Sequence, residues 1–192
     1  ASDRFGRGLT RLEAAASGLK WFPYNKGGEY RKWYGNQDWV VNWEHDGAEL
    51  LAERPKSVIR SPQMYFTPSV SWSKIGTGLP AFRYFPVGFL FDVAGTSVFG
   101  GEEALLHIAA VCNSVVARQM LAATSPTLNL EVGTLAQLPI VEVSNAALEA
   151  ASELIRVHET DWNRQETSWA FQRLWVLDGA PGETRAACWH PF

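Results

Sequence analysis

Cysteine is scarce. Only Cys112 and Cys188 occur in 192 residues, far apart and without metal-ligand spacing, so the sequence predicts a reduced protein, not a disulfide framework. No apolar run approaches ~18 residues, which excludes a single long transmembrane helix and predicts a cytoplasmic chain with no membrane partner. The opening ASDRFGRGL lacks both an apolar h-region and an initiator Met, so it is not read as a signal peptide and predicts a piece of a longer protein. Enzyme signatures are missing too. There is no GxGxxG, no P-loop and no G-x-S-x-G elbow. The four histidines (His45, His107, His158, His190) show no HExxH-like pairing, so no metal site is expected. No acid followed by Asp/Glu-x-Lys on a strand supports a metal-dependent nuclease. Cys112 falls on an apolar helical stripe and reads as packing, not as a nucleophile. The acid pairs Glu102/Glu103 and Glu153/Glu159 read as solvated helix surface. This chain alone is therefore not expected to be an enzyme.

Lysine is missing from the second half, and that absence is informative. All five lysines lie at or before Lys74. Residues 1–90 hold 12 Lys+Arg against 8 Asp+Glu, a balance of +4, whereas residues 91–192 hold 5 against 12, a balance of −7. Such a split points to an anion-binding half joined to a structural half, or to two helices with acidic faces.

Hydrophobic content of 46% with 19% charged residues is ordinary for a folded domain. Phe5, Leu9 and Leu12 predict a short helical lead-in that Gly18 ends. WVVNW (39–43) reads as a strand, and HDGAELLAERPKS as a turn, a brief helix and a stop before Pro55. QMYFTPSVSW and FRYFPVGFLFDVAGTSVF are β-rich but broken by Pro68, Pro86 and Gly88, which predicts an irregular sheet. EEALLHIAAVCNSVVARQMLAAT (102–124) predicts one long amphipathic helix, with two glutamates suiting its N-terminus. LNLEV (128–132) and the segment after Pro139 read as short strands. Asn145 is the expected cap of a second long helix running to residue 174. The tail is expected to be irregular. The expected class is α+β, an irregular mixed sheet packed with two long helices. The expected organisation is a lead-in (1–18), a central domain (19–143), and a C-terminal helix with its tail (144–192).

Binding chemistry is better represented than catalysis. Nine tryptophans occur, and most have Lys, Arg, Asn or Asp close by in sequence. The stretch KGGEYRKWYGN offers cations for phosphates and glycines that let backbone amides approach an anion. The candidates are Lys26, Gly27, Gly28, Arg31, Lys32, Asn36 and Asn42, then Ser71, Ser73, Lys74 and Arg83. Arg and Asn are the side chains that read guanine and adenine edges. For each aromatic the competing reading is core packing, and for each cation a solvated face.

KWFPYNKGGEYRKWYGN followed by WVVNWEHDG and ERPKS resembles the C-terminal region of PglX-type adenine-specific DNA methyltransferases of phage-exclusion and phage-growth-limitation systems. The resemblance continues through VSWSKIGTGLPAFRYFPVGFLFDVAGTSVF and LLHIAAVCNSVVARQMLAATSPTLNLEVGTLAQLPI to DWNRQETSWAFQR. It covers residues 3–173. It implies a target-recognition fragment for double-stranded DNA, similar in role to the specificity domains of type IIG restriction-modification enzymes. It also implies that S-adenosylmethionine and the Asn/Asp-Pro-Pro-Tyr/Phe motif belong to an upstream methyltransferase domain, with other defence subunits as further partners. On this reading Lys26, Arg31 and Lys32, helped by Gly27 and Gly28, contact phosphates. Asn36, Ser73, Lys74 and Arg83, from loops between strands, reach base edges. The alternative is a non-catalytic protein-interaction module of the same complex. A Trp-lined carbohydrate-binding domain fits the tryptophans but not the clustered lysines.

Overall fold

The computed structural model describes residues 4–76, 78–124 and 129–174. Its helices and small sheets make an α+β fold. Two three-stranded sheets replace the single irregular sheet expected from sequence. In the first, β1 (Trp21–Asn25) is central, with β2 (Trp39–Asn42) antiparallel on one side and the two-residue β5 (Leu90–Phe91) parallel on the other. In the second, β3 (Ser69–Ser73) lies between β4 (Phe82–Phe85) and β6 (Gly95–Phe99), antiparallel to both. Pro68 and Pro86 fall just outside β3 and β4, where no ladder amide is needed.

Each sheet has its own core. Phe22 and Leu90 of the first pack with Trp43, Tyr65, Phe66 and Ala14 of the lead-in helix α1 (Arg11–Ala16). That helix is shorter than expected because it starts only at Thr10, whose hydroxyl and Glu13 form a reciprocal cap. The helix α2 (Glu44–Ala52) opens on a left-handed turn at His45, Asp46 and Gly47, then turns right-handed. Val70, Trp72 and Phe82 of the second sheet pack against Leu105, Ala109 and Cys112 of α3 (Glu102–Asn113). The Trp72 indole donates to Leu130 O at 2.9 Å, so even this buried ring's polar atom is satisfied. Asn25 joins the sheets. It is 1% exposed, its Nδ2 donates to Ser71 Oγ at 2.6 Å, and its Oδ1 accepts from Gly27 N.

The helix expected over 102–124 is two helices. The break falls at Ser114, with ψ 158°, and α4 (Val115–Thr124) leaves at 68° to α3. Two polar side chains take over the work of helix continuation there. Ser114 Oγ accepts from Ala117 N at 3.1 Å, capping α4, and the buried Asn113 amide turns away to bond the main chain of Phe82. Leu130 and Glu131 lead into a single helical turn, α5 (Val132–Leu135), and not into strands; Asn129 forms an isolated bridge to Ile75. Residues 140–144 are also not a strand. The last helix, α6 (Asn145–Asn163), is capped by Ser144 and not by Asn145, and stops eleven residues before the expected end. It packs along α3. Leu128, Cys188, His190 and the tail from residue 175 lie outside the described residues. No single described helix is long and apolar enough to cross a membrane.

Candidate functional site

The chain from Lys26 to Asp38 crosses from β1 to β2 by way of the second sheet. Trp33 sits at φ 69° and forms a parallel bridge beside Arg83, its N–H donating to Phe82 O and its C=O accepting from Tyr84 N. Five further residues of this crossing need open backbone geometry or close packing: Gly27, Gly28, Gly35, Asn36 and Tyr34. Gly27 and Gly28 are at positive φ, but what approaches them is protein. A Cβ on Gly27 would lie 2.8 Å from Ala94 O, and one on Gly28 2.8 Å from Asn36 Nδ2. The open space at these glycines is thus filled by the crossing itself.

The cations of the crossing divide. Lys26 is exposed, its ammonium 5.1 Å from the Trp39 ring centre, and Trp39 is itself 54% exposed. At the other end of the β1–β2 pair, Lys20 lies 5.6 Å from the Trp21 ring centre. Arg31 instead turns to α6, stacking 5.0 Å from Trp162 and pairing with Asp161 at 3.4 Å. Gly35 makes room for that stack, since a Cβ there would overlap Arg31 and touch Trp162 at 3.0 Å. Lys32 donates to the carbonyl of Asn113 at 2.9 Å, at the C-terminus of α3, where a cation also meets the helix dipole. Burial, with Arg118 nearby, lowers the Lys32 pKa from its ordinary value.

The residues expected to read bases, and the further polar candidates Ser71 and Asn42, are mostly engaged with the protein. Asn36 is buried and donates to Glu29 O. Ser73 donates to Gly28 O, Ser71 to Thr96 O, and Asn42 to Glu49. Lys74 pairs with Glu131 at 3.1 Å. Arg83 does not come from a loop at all. It stands in the middle of β4, 1% exposed, with Nη1 donating to Arg31 O at 3.1 Å and Nη2 to Ser73 Oγ at 2.9 Å. Burial first, then the neighbouring Arg31, lowers its pKa to about 10. Asn36 and Arg83 are therefore buried side chains, not loop residues standing out from the surface. The structure brings Gly28, Arg31, Ser73 and Arg83 into one network, and leaves Lys26, Lys32 and Lys74 as separate contacts.

Trp162 and Asp161, the anchors of Arg31, escaped the charge argument because they lie 130 residues away in sequence. Their signal was present, however, in the aromatic-acid run DWNRQETSW. Among the described residues no group of three His, Cys, Asp or Glu is placed to hold a metal ion.

These features define an α+β segment with surface-exposed cation–aromatic pairs on one sheet and a helical half that grips its crossing loop. No protein-family profile matches the chain. It is 38% identical over 162 residues, 83% of its length, to the adenine-specific methyltransferase BrxX of Escherichia coli O9:H4 (strain HS). It is 38% identical over 159 residues, 79% of its length, to the adenine-specific methyltransferase PglX of Lacticaseibacillus casei (strain Zhang). The chain spans 13% of the length of each of these relatives. It is thus similar to one segment of these two adenine-specific methyltransferases.

Proposed function

We propose that this chain is the DNA-contacting, target-recognition segment of an adenine-specific DNA methyltransferase of a phage-defence system. The observation that carries the reading is its 38% identity, over most of its length, to a small part of proteins named for that activity. Methyl transfer from S-adenosylmethionine would then be the task of a methyltransferase domain elsewhere in a longer cytoplasmic protein, where an adenine is flipped from the duplex. This segment would hold double-stranded DNA beside that domain. The exposed Lys26–Trp39 pair is the best-placed contact: an ammonium for a phosphate, backed by a ring that fixes its position. Arg31 and Lys32 would act one step back, anchoring the crossing loop to the helices.

Fluorescence anisotropy of a labelled duplex against salt tests this. If Lys26 neutralises one phosphate, Lys26→Ala lowers the magnitude of the log K against log[salt] slope by ~0.9. No binding at low salt, or an unchanged slope, would refute the assignment.

A second reading is favoured by one feature. An apolar groove of about 400 Å³ runs between α4, α6 and residues 138–143, lined by Val116, Met120, Leu138, Val141, Ala147 and Leu154. Val116 and Val141 are largely exposed there. On this reading the segment docks protein, another domain of its own chain or a further defence subunit, and makes no DNA contact. Retained partner binding with no duplex affinity would favour it.

A further inference from the structure

Among the described residues, Arg83 is a buried cation without a carboxylate partner. Its two Nη groups reach a backbone carbonyl and a hydroxyl, and its Nε has no hydrogen-bond partner. The charged group that acts on it is another cation, Arg31. Burying a charge without an opposite charge is costly, and the cost falls sharply when an anion is supplied. Arg83 is also among the residues that line a cavity of about 570 Å³, open to solvent, together with Ile75, Gly76, Gly78, Leu79 and Leu121. Its walls include Tyr30, Ile75, Leu79, Leu121 and Ala122, so most of the surface around Arg83 is apolar. The one acid on the lining, Glu29, is exposed at the mouth. Tyr30 and Ile75, on the same lining, are 59% and 66% exposed.

We propose that this cavity binds a nucleotide unit, its phosphate drawn to Arg83 and its base lying against Tyr30, Ile75 and Leu79. A phosphate alone would fill little of the space, and a neutral aromatic alone would leave the guanidinium uncompensated. A nucleotide satisfies both halves: the planar Arg fork suits phosphate oxygens, and an exposed aromatic ring suits a base face. The phosphate can come from a free mononucleotide or from a DNA strand. The DNA source rests on the function proposed above; the cavity itself does not.

The test follows the Arg83 Nε–H resonance of the full chain by ¹H–¹⁵N NMR, assigned by its absence in Arg83→Lys. The probes are thymidine 5′-monophosphate, thymidine and a DNA duplex, each against sodium chloride at matched ionic strength. A saturable shift with the monophosphate but not with thymidine is the expected result. A shift with the duplex as well identifies DNA as the source. No shift with either phosphate-bearing probe, or an equal shift with thymidine, overturns the proposal. Duplex binding by anisotropy with an unmoved Arg83 resonance also overturns it, while leaving the DNA function intact. Monophosphate binding without any duplex affinity upholds the cavity and refutes the DNA function. A second variant avoids disturbing Arg83. Ala122 is exposed on α4, so Ala122→Trp should fold normally yet fill the cavity, weakening monophosphate binding by about tenfold or more, the worth of one charged hydrogen bond. Unchanged affinity in that variant, with thermal unfolding also unchanged, would count against the site.

Discussion

Asn113→Ala should be among the most damaging single changes at the junction of sheet and helices. Asn113 is 6% exposed, and its side chain bonds both main-chain groups of Phe82: Oδ1 accepts from the N–H at 3.2 Å, Nδ2 donates to the C=O at 3.0 Å. Phe82 C=O also accepts from Trp33 N–H, so it stays satisfied after truncation. Phe82 N–H points the same way, outward from β3, and loses its partner in a site that is 1% exposed. An orphaned buried amide costs about 1–3 kcal/mol, and the void left by the amide adds to it, giving about 2–4 kcal/mol in all. For a chain of this size that is a fall in Tm of roughly 5–15 °C. Urea and thermal unfolding followed by tryptophan fluorescence measure it directly. Ser114→Ala supplies the sign control. If the helix break is real, this change removes the α4 cap and costs about 1 kcal/mol. Were residues 102–124 one continuous helix, alanine would be the better residue at 114 and the variant would gain stability. A stabilised Ser114→Ala, or an Asn113→Ala within about 0.5 kcal/mol of the parent, would refute the reasoning.

Other consequences are as direct. Gly35→Ala puts a Cβ at φ 121° into the space shared by Arg31 and Trp162, so it should cost about 1–3 kcal/mol in urea unfolding. His158 is held below its ordinary value of 6.5, by burial first and by Arg31, against the pull of Asp161. Its neutral form is the one the fold favours, so its contribution is complete above pH 6.5 and is lost as pH falls through the lower folded value. His158→Gln should therefore flatten the stability–pH profile on the acid side of 6.5, and an unchanged profile would contradict the assignment. The Cys112 thiol is 3% exposed and burial pushes its pKa up to about 12. In a Cys188→Ser background it should resist iodoacetamide at pH 8 until the chain is unfolded.

Local pattern carried the strands and failed at junctions. SVSWS, FRYF and GTSVF announce themselves by β-branched and aromatic residues between turn signals, and each is a strand. VCNSVV hid its break because Val111, Val115 and Val116 continue the apolar stripe across it. The Asn-Ser pair was the available warning, as both residues prefer caps to helix interiors. LNLEV misled for another reason. Its alternation suits a strand, but Leu130 packs in the Trp72 core while its neighbour Glu131 stands just before a helical turn and pairs with Lys74. The candidate site was the least legible part. Residue type at Arg31, Lys32 and Arg83 says that a cation is present, and nothing local says whether a phosphate or a protein group 50 or more residues away receives it.

That distinction bears on the charge split between the halves. Part of the +4 and −7 is complementarity within the fold: Arg31 meets Asp161, Lys74 meets Glu131, and Lys32 meets the negative end of α3. Each of these contacts fixes the crossing loop or the β3 end to the helical half, so the cations spent there are not free counterions for DNA. The surface available to a polyanion shrinks to a few exposed groups, with Lys26 foremost because Trp39 holds it in place. An isolated segment with so few free phosphate contacts should bind duplex weakly and with a shallow salt slope, near one unit per contact. A slope as steep as that of a protein making 6–10 phosphate contacts would mean that Arg31 and Lys32 leave their partners when DNA arrives, and that the helical half releases the loop on binding.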